Sequence, residues 1–215
     1  MASMTPERWD WINDYIHQLF GDPDDHLAGL MARAEAAGLP QIAVSPDVGR
    51  LLGILAASTP GRLAIELGTL AGYSGIWIAR GLAPDGRLIT VEMDPKHADF
   101  AEAEFATAGV ADRVEVRRGR ARDVLAQLVS ELEPESVDFV FIDAHKPEYP
   151  DYFRAVKPLM ASGGILVADN VLGTSSGWID EGHGTDPFNR LVAADPDFLA
   201  TMMPMRQGLL IARKR

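Results

Sequence analysis

Oxygen-bearing side chains follow two predicted strands that are rich in apolar residues. Asp143 comes directly after the run Val137–Ile142, and Asp169 and Asn170 follow the run Ile165–Ala168. If these strands are neighbours in a parallel sheet, their carboxyl ends meet at one edge and the three side chains converge. Two carboxylates and an amide oxygen are a hard ligand set that suits Mg²⁺ and leaves room for water and substrate. The alternative is that Asp169 and Asn170 only cap a turn, as Asx residues often do.

A glycine-rich turn follows the first predicted strand, with glycines at positions 68, 72 and 75. Such a turn lets a ligand approach the backbone and the amino end of the next helix. The spacing differs from the G-x-G-x-x-G pattern of dinucleotide sites. Glu92 ends the second strand, about 20 residues further on, where an acidic residue can accept hydrogen bonds from ribose hydroxyls. Together these features predict a nucleoside-containing ligand, against the alternative of a tight turn and a solvated strand end.

These residues need elements that hold them at one edge of a sheet. Before residue 60, apolar residues at helical spacing predict three helices. The first starts at Thr5-Pro6, the second runs from Asp25 to Ala37 and stops at Gly38, and the third starts at Ser45-Pro46.

From Leu63 onward, strands and helices alternate. Apolar runs without polar alternation fit strands buried on both faces of a parallel sheet. The predicted strands are Leu63–Leu67, Leu88–Val91, Val137–Ile142, Ile165–Ala168 and a weaker Val114–Arg118. Helical segments lie between them, at Tyr73–Leu82, Lys96–Ala108, Asp123–Leu132 and Tyr149–Val156. Two last runs, Phe198–Met203 and Leu209–Ala212, predict an antiparallel hairpin at the sheet edge.

The predicted fold class is therefore α/β, a Rossmann-like, doubly wound and mostly parallel sheet of seven strands. It carries a C-terminal antiparallel hairpin and an N-terminal helical cap. We expect one domain over residues 1–215, with the cap in 1–60 and the α/β core in 61–215.

Composition excludes several classes of function. The net charge is −11, which opposes binding to nucleic acid and to anionic membranes. Cysteine is absent, so disulfides, thiolate metal sites and cysteine nucleophiles are excluded. The start MASMTPERWDW lacks the basic and apolar regions of a signal peptide, and no apolar stretch is long enough to cross a bilayer. We expect a cytoplasmic protein.

The segment Glu66-Leu67-Gly68, followed by Gly72-Tyr73-Ser74, resembles the first motif of the small cation-dependent O-methyltransferases, which include the catechol and caffeoyl-CoA-type enzymes. The resemblance covers nearly the whole chain and implies S-adenosylmethionine as cofactor. It implies contact of Gly68, Thr69 and Ser74 with the methionine part and of Glu92 with the ribose. The cofactor-binding positions that it implies are Val44, Glu66, Gly68, Thr69, Gly72, Ser74, Glu92, Met93, Ala121, Asp143 and His145.

The same resemblance implies roles at the second group of residues. Asp143, Asp169 and Asn170 match the metal ligands, with Mg²⁺ expected and Mn²⁺ or Ca²⁺ as alternatives, and Lys146 matches the general base. A metal would lower the pKa of a bound hydroxyl, and a partly desolvated lysine beside it could take the proton. The predicted reaction is methyl transfer to one hydroxyl of a catechol-like, vicinal diol phenol. The predicted substrate contacts are Asp143, Lys146, Asn170 and Trp178.

Trp178 lies in a loop just after the predicted metal ligands, where a lid over the substrate is expected. Stacking on an aromatic substrate and simple packing are both open for this side chain. Trp9 and Trp11 are expected in the core or at a dimer contact, and the resemblance implies a homodimer.

Three other functions remain open on the sequence. They are a non-catalytic nucleoside-binding domain, an NAD-dependent dehydrogenase and a methyltransferase that acts on nitrogen or on nucleic acid. The glycine spacing weighs against the dehydrogenase. The acidic charge and the lack of an Asn-Pro-Pro-Tyr-like motif weigh against the last.

Overall fold

The computed structural model describes residues 5–21, 24–174 and 177–215. Residues 1–4, at the start considered for a signal peptide, and Ser175 and Ser176 of the predicted lid lie outside the described residues. No described helix is both long and apolar enough to cross a membrane.

The central sheet has seven strands in the order β3-β2-β1-β4-β5-β9-β8. The first five strands in this order are parallel, whereas β9 pairs antiparallel with β5 and β8 pairs antiparallel with β9. The sheet strands are β1 Leu63–Leu67, β2 Arg87–Glu92, β3 Val114–Arg118, β4 Val137–Ile142, β5 Met160–Asp169, β8 Phe198–Met203 and β9 Leu209–Lys214. The predicted fold class is confirmed, including the edge hairpin.

Helices cover both faces of this sheet. They are α1 Pro6–Phe20, α2 Asp25–Ala36, α3 Pro46–Ala57, α4 Tyr73–Gly81, α5 Pro95–Thr107, α6 Ala121–Glu131, α7 Tyr149–Val156 and α8 Asp186–Ala193. One apolar cluster joins α2 to α5 to one sheet face, and a second joins α6 to α8 to the other. Strands such as β4, which is buried at every residue and apolar except at Asp138, are needed because both faces are covered.

A partly buried ion pair and helix packing fasten the N-terminal helices to the core. Arg33 of α2 donates from Nε and Nη2 to the two carboxylate oxygens of Glu104 on α5, at 3.0 and 2.6 Å. The helix α3 packs along α4. This attachment positions the segment that joins α2 to α3, which includes Val44, over the carboxyl edge of the sheet.

The sequence interpretation missed α8 and a two-residue ladder between β6 Gly173–Thr174 and β7 Gly177–Trp178. The helix has a local signal, because Phe188, Leu191 and Val192 stand at helical spacing after Pro187. Thr185 Oγ1 and Asn189 Nδ2 both donate to the carbonyl of Val171, at 2.8 and 2.7 Å. The helix thus anchors the loop that follows β5.

Trp9 and Trp11 do not belong to the core. Helix α1 has no buried residue, and Trp11 stacks on Tyr15 with ring centroids 5.4 Å apart at the surface. The expectation that these tryptophans lie in the core is therefore wrong, and the dimer contact stays a prediction.

Candidate functional site

A cavity of about 860 Å³ lies at the carboxyl edge of the sheet. Its walls come from the ends of β1, β2, β4 and β5, the turn after β3, the segment 40–44 and the hairpin turn between β8 and β9. Of the predicted site residues, those that line it are Val44, Gly68, Thr69, Ser74, Glu92, Met93, Ala121, Asp143, His145, Lys146, Asp169 and Asn170. The volume suits a ligand of nucleoside size together with a small second molecule.

The turn after β1 requires glycine at position 68. Gly68 has a φ of +100°, and a Cβ placed there would lie 2.1 Å from the carbonyl oxygen of Asp143. The absence of a side chain lets the ends of β1 and β4 approach each other, with Asp143 N donating to Leu67 O at 2.9 Å. Gly68 therefore lies where two halves of the cavity meet, a first half beside the ends of β1 and β2 and a second half beside the ends of β4 and β5.

Glu92 lines the first half of the cavity, which is predicted to bind the cofactor and is called the cofactor half. Its Oε2 accepts from the backbone N–H of Leu70 at 2.8 Å, and its Oε1 accepts from that of Asp94 at 2.9 Å. A carboxylate offers about four lone-pair sites, so each oxygen can still accept from a ribose hydroxyl. The two backbone bonds fix the carboxylate in place before any ligand arrives.

Glu66 and Gly72 do not line the cavity. A Cβ on Gly72, which has a φ of +83°, would meet Phe105 instead, so this glycine serves the packing of α4 against α5. Glu66 is completely buried beneath the turn, where it accepts from Ser74 Oγ and Thr90 Oγ1, both at 2.6 Å. It supports the Ser74 side chain that lines the cavity.

Burial raises the pKa of Glu66 to about 7, although the hydrogen bonds from Ser74 and Thr90 oppose this shift. The folded state then holds a proton that the unfolded chain has released, so folding stability should fall as pH rises from about 4.5 to about 7. Replacing Glu66 with glutamine should remove this contribution. The measurement is the Tm of the natural protein minus the Tm of Glu66→Gln, taken from thermal melts. We expect this Tm difference to be lower at pH 8 than at pH 5. An equal Tm difference at both pH values would contradict the assignment.

The second half of the cavity gathers the residues predicted to do chemistry. Lys146 Nζ lies 2.5 Å from Asp143 Oδ1, and the side chains are 21% and 20% exposed. Lys146 Nζ also lies 5.4 Å from the centre of the Tyr149 ring. The Tyr149 hydroxyl lies beneath, 3.3 Å from Ile142 O and 3.1 Å from Asp169 O. It thereby ties the ends of β4 and β5 together.

Asp169 and Asn170 complete this half. Burial and the negative charge of Asp143 raise the pKa of Asp169 to about 6, against the opposing effect of the Asn170 N–H and the charges of Lys146 and Arg206. Asn170 adopts a left-handed backbone with a φ of +56°, and its Nδ2 donates to Gln207 Oε1 at 3.1 Å. The amide is thus held so that its Oδ1 remains free to bind a cation.

The donor set fits a divalent metal. Asp143 and Asp169 lie close enough to repel each other, and an amide oxygen lies beside them, which is the hard oxygen chemistry that Mg²⁺ prefers. No group of three or more His, Cys, Asp and Glu residues in the described ranges could hold a metal, and this set reaches three donors only with the amide oxygen of Asn170.

Trp178 lies beside this half of the cavity rather than in its lining. Its side chain is 72% exposed and borders a smaller cavity of about 150 Å³, which shares Lys146 and Thr174 with the large one. The predicted lid thus adjoins the position of Lys146, with its indole open to solvent.

Some lining residues were missed by sequence reasoning. His97 faces the cavity with its Nδ1 3.8 Å from Glu92 Oε1. Its position in the first turn of α5, just after the end of β2, could have indicated this. Gln41, Arg206 and Gln207 carry no local signal, because only the folding back of the cap and of the hairpin brings them to the cavity.

Comparison with known proteins agrees with this site. The family model described as O-methyltransferase matches residues 22–215. A catechol O-methyltransferase of Niastella koreensis is 40% identical over 209 residues, which cover 94% of this chain and 93% of the relative. One of Mycobacterium tuberculosis is 45% identical over 154 residues, 72% of this chain and 68% of the relative.

Solved structures agree as well. The O-methyltransferase of Bacillus cereus in complex with SAH superposes with a TM-score of 0.86 at 35% identity, covering 97% of this chain and 99% of the other. An O-methyltransferase of Streptomyces achromogenes involved in tomaymycin synthesis, in complex with SAM, gives 0.85 at 35% identity and covers 99% of both chains. The resemblance carried by the turn at Gly68 is confirmed, the dehydrogenase alternative is set aside, and the chain belongs to the O-methyltransferase family.

Proposed function

We propose that the protein transfers the methyl group of S-adenosylmethionine to one hydroxyl of a catechol-like acceptor held by a divalent metal. The observation that carries the proposal is the meeting of Asp143, Asp169, Asn170 and Lys146 in the same cavity as Glu92 and the glycine turn. The relatives named as catechol O-methyltransferases and the neighbours solved with SAH or SAM support it.

Each half of the cavity has a distinct role in this reaction. On the cofactor side, Glu92 binds the ribose, and Thr69 and Ser74 contact the methionine part, while Val44 closes over the nucleoside from the cap. Glu66 keeps Ser74 in place from below. Holding the methyl donor and the acceptor oxygen in line removes much of the entropic cost of bringing them together.

On the acceptor side, Asp143, Asp169 and Asn170 would hold the metal. When bound, the metal would lower the pKa of the acceptor hydroxyl and fix the neighbouring oxygen. Lys146 would take the proton from the hydroxyl that receives the methyl group. Asp143, whose Oδ1 lies 2.5 Å from Lys146 Nζ, orients this lysine, and a bound dication would favour the neutral amine that can accept the proton.

The test is a panel of acceptors assayed with S-adenosylmethionine. Catechols should be methylated, whereas phenols with a single hydroxyl should react at least about tenfold more slowly, because only a vicinal diol offers two oxygens to the clamp. EDTA should abolish the activity, and added Mg²⁺ should restore it. Turnover that persists unchanged after chelation would overturn the metal-dependent mechanism.

We also propose that the protein forms a homodimer through α1. This helix leaves a row of large apolar side chains exposed to solvent, namely Trp9, Trp11, Tyr15, Leu19 and Phe20. Exposed apolar surface of this kind marks an interaction site in soluble proteins. Light scattering should give twice the chain mass of 23.3 kDa, and replacement of Trp11 by glutamate should shift the protein towards the monomer. A monomeric mass for the natural protein at micromolar concentration would contradict this expectation.

A further inference from the structure

Three cationic side chains line the cavity, and they differ in their partners. Lys146 is paired with Asp143 at 2.5 Å, and Arg120 is paired with Glu148 at 3.1 Å. Arg206 makes neither a hydrogen bond nor an ion pair with any residue in the described ranges, although its charge acts on Asp169, and its side chain is exposed. The guanidinium donors of Arg206 are therefore available to a ligand.

The hairpin turn holds Arg206 at the acceptor end. Leu172 N donates to Gln207 O at 2.8 Å, and Val171 N donates to Gly208 O at 3.1 Å. These bonds fasten the turn to the segment directly after Asn170. The Gln207 side chain adds the hydrogen bond from Asn170 Nδ2 at 3.1 Å. Arg206 therefore lies next to the residues that are proposed to hold the acceptor, at the opposite end of the cavity from Arg120.

The backbone at Arg206 is held in an uncommon conformation. Its φ of +50° lies in the left-handed region, which residues other than glycine and asparagine rarely adopt. The turn is closed by Gly208 N, which donates to Met205 O at 2.8 Å. A guanidinium carried on a turn that is fastened on both sides loses little backbone freedom when it binds an anion.

We propose that Arg206 binds a carboxylate on the acceptor, so that the preferred substrates are catechols that carry an acidic group. This inference rests on the proposed function and specifies its substrate class. A guanidinium offers a planar fork of N–H donors that matches a carboxylate, and such charge-assisted pairs are about twice as strong as neutral hydrogen bonds. The Arg206 charge would distinguish an acidic catechol from a neutral one of the same shape.

The experiment compares three acceptors at saturating S-adenosylmethionine and Mg²⁺. They are catechol, 3,4-dihydroxybenzoate and the methyl ester of 3,4-dihydroxybenzoate, which keeps the shape of the acid but removes its charge. The natural protein should show a KM for the acid at least about tenfold below that for the ester. Arg206→Gln should lower the ratio of the KM for the ester to the KM for the acid about tenfold, while Arg206→Lys should keep part of the preference. Arg213→Gln, an exposed arginine at the far end of β9, is the matched control and should behave like the natural protein.

The dissociation constant of 3,4-dihydroxybenzoate, measured by calorimetry on the protein with S-adenosylhomocysteine bound, gives a second readout. Arg206→Gln should raise this dissociation constant about tenfold. Equal KM values for acid and ester in the natural protein, or an unchanged preference in both Arg206 variants, would overturn the role of Arg206 while methylation of catechol still stands. Failure of the natural protein to methylate any of the three diols would instead overturn the proposed function.

Discussion

Replacing Lys146 with alanine is expected to lower kcat by about 10²–10⁴-fold, the range in which general acid–base catalysis contributes. The physical reason is that the acceptor hydroxyl must lose its proton before the oxygen attacks the methyl group. Lys146 is the cation that lies against Asp143, and its side chain is only 21% exposed. Initial rates with a catechol and isothermal titration with S-adenosylmethionine separate turnover from cofactor affinity, which should change by less than about twofold since Lys146 lies in the acceptor half.

Lys146→Arg is the matched control for this variant. Arginine retains the positive charge and can keep the ion pair with Asp143, but it does not give up its proton at any working pH. We therefore expect Lys146→Arg to be nearly as slow as Lys146→Ala. Substantial activity in the arginine variant would mean that the charge, and not proton transfer, is what the reaction needs. Equal loss of turnover and of cofactor affinity in the alanine variant would also contradict the base role.

Replacing Asp169 with asparagine is expected to change activity and stability in opposite directions. The variant keeps the shape of the side chain and an oxygen that can accept from Asn170 N, at 2.7 Å in the natural protein. It removes a buried negative charge that lies close to Asp143, and burial is the main reason why the pKa of Asp169 is raised to about 6. The metal-free variant should therefore be more stable at pH 8, by roughly 1–3 kcal/mol, because the folded state no longer ionises a desolvated acid.

The same substitution should weaken divalent-ion binding by about 100-fold or more, since one of two charged ligands is lost. Activity at submillimolar Mg²⁺ should fall accordingly. In thermal melts at pH 8, Mg²⁺ should raise the Tm of the natural protein, since an ion that binds only the folded state stabilises it, and should leave the variant unchanged. A variant that is destabilised without metal, or that keeps the Mg²⁺ response, would contradict the assignment of Asp169.

Asp138→Asn provides the contrast on β4. Asp138 is also completely buried, but its Oδ2 accepts from Arg62 N at 2.8 Å at the opposite end of the strand from Asp143. Removing this charge should lower the Tm, because the buried carboxylate accepts charge-assisted hydrogen bonds from the backbone N–H and the largely exposed guanidinium of Arg62. The response to Mg²⁺ should persist. The comparison thus distinguishes Asp138, whose charge should stabilise the fold, from Asp169, whose charge should destabilise the fold and serve the proposed metal site.

The parallel sheet could be predicted because its signals are local. The runs at Leu63–Leu67 and Val137–Ile142 are mostly apolar over lengths typical of strands, whereas Val114–Arg118 has only its two valines as a signal, and the structure has strands with these three bounds. The convergence of Asp143 with Asp169 followed from one general rule, that parallel strands present their carboxyl ends at the same edge. The acceptor half beyond these ligands could not be predicted in this way.

Arg206 and Gln207 reach the cavity only because β9 pairs antiparallel with β5 in one particular register, Asp169 opposite Leu209. Nothing within a few residues of Arg206 indicates that register. For Glu66 and Gly72, the motif predicts contact with the cofactor, but neither residue lines the cavity. Glu66 lies beneath the turn, and Gly72 packs against α5. A motif identifies residues that matter together, and packing decides which of them touch the ligand.

The order of the strands has a consequence for how this enzyme can diversify. The part that faces the methyl donor comes from β1, β2 and β3 and from the cap, whereas the part that faces the acceptor comes from β4, β5 and the terminal hairpin. The two parts meet where Gly68 lies against the Asp143 carbonyl. On the proposed function, we expect substitutions in the hairpin turn or in the loop that carries Trp178 to change the choice of acceptor without disturbing the groups proposed to hold the donor.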